Sequence, residues 1–142
     1  MSRLPAAAAA IVLVVLAGAC GSGSGSNSGS SALGQTCKRE PAALAGLGPV
    51  RDLGDATRVL QGVVRVERRT LQDVDAAGGH EQVAGRLRLS LSGAQRSLRA
   101  ITGADPQQTM TPVRTGVPNA RRAAAEADSL LRVLCGGTGS ES

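Results

Sequence analysis

The stretch PVRDLGDATRVLQGVVRVERRTLQDVDAAGG, residues 49–79, decides the fold. Within it Leu53, Thr57, Leu60, Val64, Glu67, Leu71 and Val74 recur at alternating steps of three and four. That is the spacing of one face of an α-helix, and a strand would instead alternate at every second residue. Pro49 suits a first helical turn and Gly78-Gly79 a helix end, so the spacing predicts a helix over 49–77. Val59 and Val63 stand off the seam. They either widen the core face or leave an apolar strip for a partner helix.

Outward from this helix the same spacing returns. Ala84, Leu87, Leu91, Ala94, Leu98 and Ile101 form a second seam, predicting a helix over 80–102 that Gly103 ends. Leu89 lies off it. Val117, Ala120, Ala124, Ala127, Leu131 and Leu134 form a third seam, predicting a helix over 118–135 closed by Gly136-Gly137. Asp105-Pro106-Gln107-Gln108 has the order of a helix cap, but Pro112, Gly116 and Pro118 follow, and interior prolines break helices. A turn or kinked lead-in is expected there, leaving a Gly103–Val117 segment that is long for a compact domain. Three seams rich in small residues imply an all-α fold: a narrow antiparallel bundle joined by short loops, with a thin core.

Composition narrows the functions open to such a bundle. The 142 residues contain no Trp, Tyr or Phe, so the chain has no aromatic platform for bases, sugars or flat cofactors. One His and three Cys offer little to a metal. The net charge of +5 rests on 15 Arg and a single Lys, Lys38. This Arg-rich, Ala- and Gly-rich usage resembles that of high-GC actinobacteria.

The N-terminus reads as an export leader. Arg3 precedes an uncharged run from Leu4 to Ala19, centred on Ile11 to Leu16. The run is shorter than the ~20 residues of a spanning helix and closes on small residues. Leu16-Ala17-Gly18-Ala19-Cys20 resembles the lipobox of bacterial lipoprotein precursors, with Leu16 four positions before the cysteine where the commoner form has it three before. Ala17-Gly18-Ala19 also satisfies an ordinary secretory cleavage pattern, and both readings cut the same bond. The resemblance implies a diacylglyceryl group on the Cys20 sulfur, and two acyl chains suffice for stable anchoring. Loss of Arg3 with the leader lowers the charge of +5 by one, to +4. Residues 1–19 are then signal peptide, and 20–36 a Gly/Ser-rich flexible tether.

With Cys20 acylated, Cys37 and Cys135 remain as a pair, and an exported compartment permits a disulfide between them. Three alternating helices put the start of the first and the end of the third at opposite ends. Lys38 to Gly48 must therefore run back along the bundle, as an extended segment or as a short helix over 41–47. The domain is expected over 37–136, with a disordered tail at 137–142.

No catalytic constellation emerges. His80 follows two glycines at a predicted helix start, and no second histidine or G-x-S-x-G accompanies it. Asp73 and Asp75 read as a solvated helix end, and Gly46 and Gly48 are a lone GxG without a preceding strand. Neither Cys37 nor Cys135 belongs to a CxxC motif. The most distinctive polar set is Arg51, Arg58 and Arg65, seven residues apart, which suits an anionic surface or acidic partner; a plain solvated face is the alternative. Glu67, on the first seam, is placed to meet an arginine of the second helix and fix register. Met110 sits in the proline-interrupted segment, as a cap on the bundle or part of a binding loop. The expectation is a non-enzymatic lipoprotein on the outer face of the cell membrane, without cofactor, metal or nucleic acid. It would be a helical interaction module for an envelope protein or anionic surface, or alternatively a carrier of a small apolar ligand or lipid.

Overall fold

Helix α2 (Leu53–Ala77) begins where its cap is best satisfied. Asp52 accepts the N–H of Asp55 at 2.8 Å, and the Asp55 carboxylate reaches back to the N–H of Arg51 at 3.1 Å. This reciprocal cap outweighs Pro49, so the helix starts four residues later than the proline alone predicts. Gly48, at φ 71°, makes the preceding turn. At the other end Gly78, at φ 69°, takes the left-handed conformation that suits glycine, and its N–H returns to the Val74 carbonyl.

A computed structural model of the chain describes residues 27–103 and 110–136, with side chains from 31 to 103 and from 114 to 136. The expected signal peptide, Cys20, the first part of the tether, the Asp105–Gln108 cap and the tail lie outside the described residues. Among the described residues four helices follow in order: α1 (Asn27–Ala45), α2, α3 (Glu81–Thr102) and α4 (Met110–Gly136). No strand occurs among the described residues. Nor is any described helix long and apolar enough to cross a membrane.

Two expectations need correction. The first concerns α1, where a coil to residue 36 and a stubby helix at 41–47 give way to one 19-residue helix. Its buried face is Leu33, Thr36 and Glu40 at steps of three and four. Two of those three are polar, so the face is invisible to hydrophobic periodicity. The second concerns α4, which runs unbroken for 27 residues from Met110, although a start at Pro118 is predicted. Pro112 falls in its first turn, where a missing N–H costs nothing, while Pro118 is carried in the interior. Gly116 is a point of close approach: a Cβ there would lie 2.8 Å from Leu53 Cδ2 and 3.1 Å from Ile101 Cδ1.

The helices alternate in direction. Thr36 meets Asp73 while Leu47 lies against Gly62, so α1 runs antiparallel to α2. Glu67 meets Ser90 and Asp75 meets Arg88, which sets α3 antiparallel to α2. α2 packs on all three other helices, with α1 and α3 on opposite flanks of the α2–α4 pair. Arg121 of α4 ties the α1–α2 loop down, donating from Nε and Nη2 to the Val50 carbonyl at 3.1 and 2.7 Å.

The core divides into two apolar clusters. One holds Ala56, Val59, Leu60, Val63, Ala94, Ala120 and Ala127, and the other Leu33, Val74, Ala84, Leu87, Leu130 and Leu134. Val59 and Val63 thus widen the core. Leu89 does not, being 75% exposed. The alanine content makes the first cluster thin, since each methyl buries far less area than a Leu side chain.

The Cys37–Cys135 disulfide closes the bundle across 98 residues, with Cα atoms 5.5 Å apart. It forms because α1 is a full member of the bundle: its N-terminal half packs beside the end of α4, where Leu33 joins Leu130 and Leu134. The expected return of Lys38 to Gly48 along the bundle is made by the second half of α1 and the turn that follows it.

Candidate functional site

On α1, α2 and α3 the two apolar clusters are separated by a short interval of sequence, and buried polar residues fill it. Thr36 and Glu40 lie there on α1, Glu67 and Thr70 on α2, and Ser90 on α3. All are at most 6% exposed. Ser90 donates its hydroxyl to Glu67 Oε1, and Thr36 donates to Asp73 Oδ2. Glu40 Oε1 receives Arg39 Nε at 2.9 Å. Glu40 Oε2, Glu67 Oε2 and Thr70 Oγ1 have no partner among the described residues. Buried polar atoms left unpaired each cost about 1–3 kcal/mol, so this layer works against stability while favouring one helix register.

Glu67 therefore meets a serine hydroxyl and not the arginine its position on the seam predicts. No cation among the described residues pairs with it, and burial raises its carboxyl from the ordinary 4.5 to about 7. The Ser90 hydroxyl opposes that rise, and the negative charge of Glu126 on α4 adds to it. Near neutrality this carboxyl can hold or release a proton inside the bundle. Periodicity places Glu67 on the buried face, but nothing in a single sequence identifies Ser90 as its partner.

Above Ser90 a groove of about 340 Å³ opens between α3 and α4. Ser90, Gly93, Ala94 and Ala123 form its floor, and Leu89, Arg96, Ser97, Asn119, Arg122 and Glu126 its rim. The floor is open at Gly93, where a Cβ would meet nothing within 4 Å. Of these residues the sequence pattern singles out Ala94, on the second seam, and Leu89, the apolar residue off it.

The expected arginine strip is only partly assembled. Arg51 lies ahead of α2, so the seven-residue spacing gives a shared helical flank to Arg58 and Arg65 alone. All three are exposed. Arg58 is engaged within the fold, donating to Asp55 and to the Leu47 carbonyl. That guanidinium and the Arg51 N–H hold the Asp55 carboxyl below its ordinary value.

His80 occupies the N-cap position of α3 without a side-chain capping bond, beside a hollow of about 140 Å³. Asp75 pairs with Arg88 at 2.7 Å. No group of three or more His, Cys, Asp or Glu among the described residues is placed to hold a metal ion. Gly46 and Gly48 belong to the α1–α2 turn, and Met110 begins α4. The segment between α3 and α4 is therefore shorter than the Gly103–Val117 loop expected. Comparison with known protein families, curated proteins and solved structures gives no match to this chain.

Proposed function

We propose that the chain is a lipoprotein held on the outer face of the cell membrane through Cys20, where its four-helix domain serves as an interaction module. The observation that carries this reading is the Cys37–Cys135 bond, which takes two of three cysteines. The one left, Cys20, directly follows Leu16-Ala17-Gly18-Ala19, the stretch that resembles a lipobox. A disulfide across the domain suits an oxidising compartment, in keeping with export. The start of α1 at Asn27 shortens the expected flexible tether, so the bundle would reach less far from the bilayer than it would on a 17-residue coil. Arg51 and Arg65, exposed on the α2 side, are available to anionic headgroups or an acidic partner.

A carrier of a small apolar molecule or lipid is the second reading, and it draws on the α3–α4 groove. The arginines, serines, asparagine and glutamate of that groove favour polar contents over an acyl tail, which ranks the carrier second.

Fractionation of an export-competent bacterium producing the chain tests the anchor. The wild type is expected to sediment with membranes and to be released by detergent. Cys20→Ser, in which Ala17-Gly18-Ala19 still satisfies the secretory cleavage pattern, is expected to leave the membrane fraction once the leader is removed, since neither leader nor acyl chains then hold the domain there. Equal membrane association of the two forms would contradict the reading.

A further inference from the structure

The α3–α4 groove carries charge of both signs, and its polarity runs along the helix axes. Arg96 and Ser97 of α3 face Asn119 and Arg122 of α4 toward one end, while Glu126 stands beside Ser90 toward the other. Neither Arg122 nor Glu126 forms an ion pair among the described residues. Arg96 donates to Ser92 at 3.0 Å, which orients its guanidinium without neutralising it. The charges are thus not used up in holding the bundle together.

From these groups we infer that the groove binds a short zwitterionic peptide, with its carboxylate toward Arg96 and Arg122 and its ammonium toward Glu126. Length supports the assignment. Asn119 to Glu126 is seven residues of helix, about 10 Å of rise, and Arg122 to Glu126 about 6 Å. Two or three extended residues span about 7–10 Å, comparable with that rise. The groove volume of about 340 Å³ lies at the small end of ordinary ligand pockets, in keeping with a ligand of that size. Guanidinium groups recognise a carboxylate by bidentate hydrogen bonds, and a carboxylate at the far end recognises an ammonium. The floor of Gly93, Ala94 and Ala123 admits small apolar side chains. This site belongs to the folded domain and does not rest on the anchor reading.

The test uses the full chain carrying Cys20→Ser, so that acyl chains and detergent do not interfere, with trialanine as probe. Binding is read by titration calorimetry and by amide shifts in nitrogen-15 spectra. Trialanine is expected to bind with shifts confined to α3 and α4. N-acetyl-trialanine and trialanine amide should each bind at least tenfold more weakly, because each lacks one charge. Arg122→Ala and Glu126→Ala, both on exposed positions, should weaken trialanine tenfold or more, and Gly93→Leu should abolish binding by filling the floor. Far-ultraviolet circular dichroism of each variant, matched to that of the parent, serves as the control for folding. The inference is overturned if trialanine does not bind, if either capped peptide binds as well as the free one, or if Arg122→Ala and Gly93→Leu leave binding unchanged.

Discussion

Replacing both Cys37 and Cys135 by Ala is expected to cost roughly 4–5 kcal/mol of folding stability. The bond closes a separation of 98 residues, and the chain-entropy model assigns a loop of that size a stabilisation of this order. Domains of this length have only about 5–15 kcal/mol in total, and this one has an alanine-rich first cluster and, among the described residues, three unpaired buried polar atoms. The double variant should therefore unfold at a far lower urea concentration and lie close to its unfolding transition at 37 °C. Urea titration followed by far-ultraviolet circular dichroism, with and without reductant, measures the effect. A midpoint unchanged by either treatment would mean that α1 is held by its contacts with α2 and α4 alone.

The second large effect is a dependence of stability on pH that traces to one side chain. The Glu67 carboxyl titrates near 4.5 when exposed and at about 7 in the fold, chiefly because it is buried. The fold thus prefers the protonated form. Its contribution is fully present below pH 4.5, declines as pH rises because only the unfolded chain gives up the proton, and is lost once pH passes about 7. At ~1.4 kcal/mol per pH unit, the loss is on the order of 3 kcal/mol. Glu67→Gln keeps the shape and a polar group for Ser90 but cannot ionise. Its stability minus that of the wild type is expected to be small near pH 4.5 and to grow to a few kcal/mol in favour of the variant at pH 8. Asp55 titrates the other way and below this window, so the difference between the two proteins isolates Glu67. A difference that stays constant from pH 4.5 to 8 would show that the carboxyl is not shifted.

These two effects also mark where the sequence is readable. The seams of α2 and α3 are legible because Leu, Val and Ala sit at helical spacing and glycines close both helices. The pairing of Cys37 with Cys135 follows once Cys20 is assigned to lipid. The first half of α1 is not legible, because Gly and Ser dominate its composition and its buried face is built from Thr36 and Glu40 as well as Leu33. The start of α4 is hidden by prolines and by Gly116, whose role as a contact with Leu53 and Ile101 appears only when three helices meet. The polar layer and the α3–α4 groove depend on which residues of different helices stand level with one another. Register of that kind is set by packing and is not encoded in any one segment's periodicity.

The lone arginine heptad illustrates the same point. Spacing alone groups Arg51, Arg58 and Arg65, but the cap at Asp52 leaves Arg51 outside the helix, and the Leu47 carbonyl engages Arg58. Arg96 and Arg122, from two helices, make the better-placed cationic pair.

The most direct test of an anchored, disulfide-closed bundle is mass analysis of the protein purified from membranes without reduction. One chain is predicted, beginning at Cys20, with a diacylglyceryl mass on that residue and a single cross-linked peptide joining Cys37 to Cys135. A chain that retains Met1, or a free Cys20 thiol, or a disulfide between Cys20 and either of the other two cysteines, would contradict it.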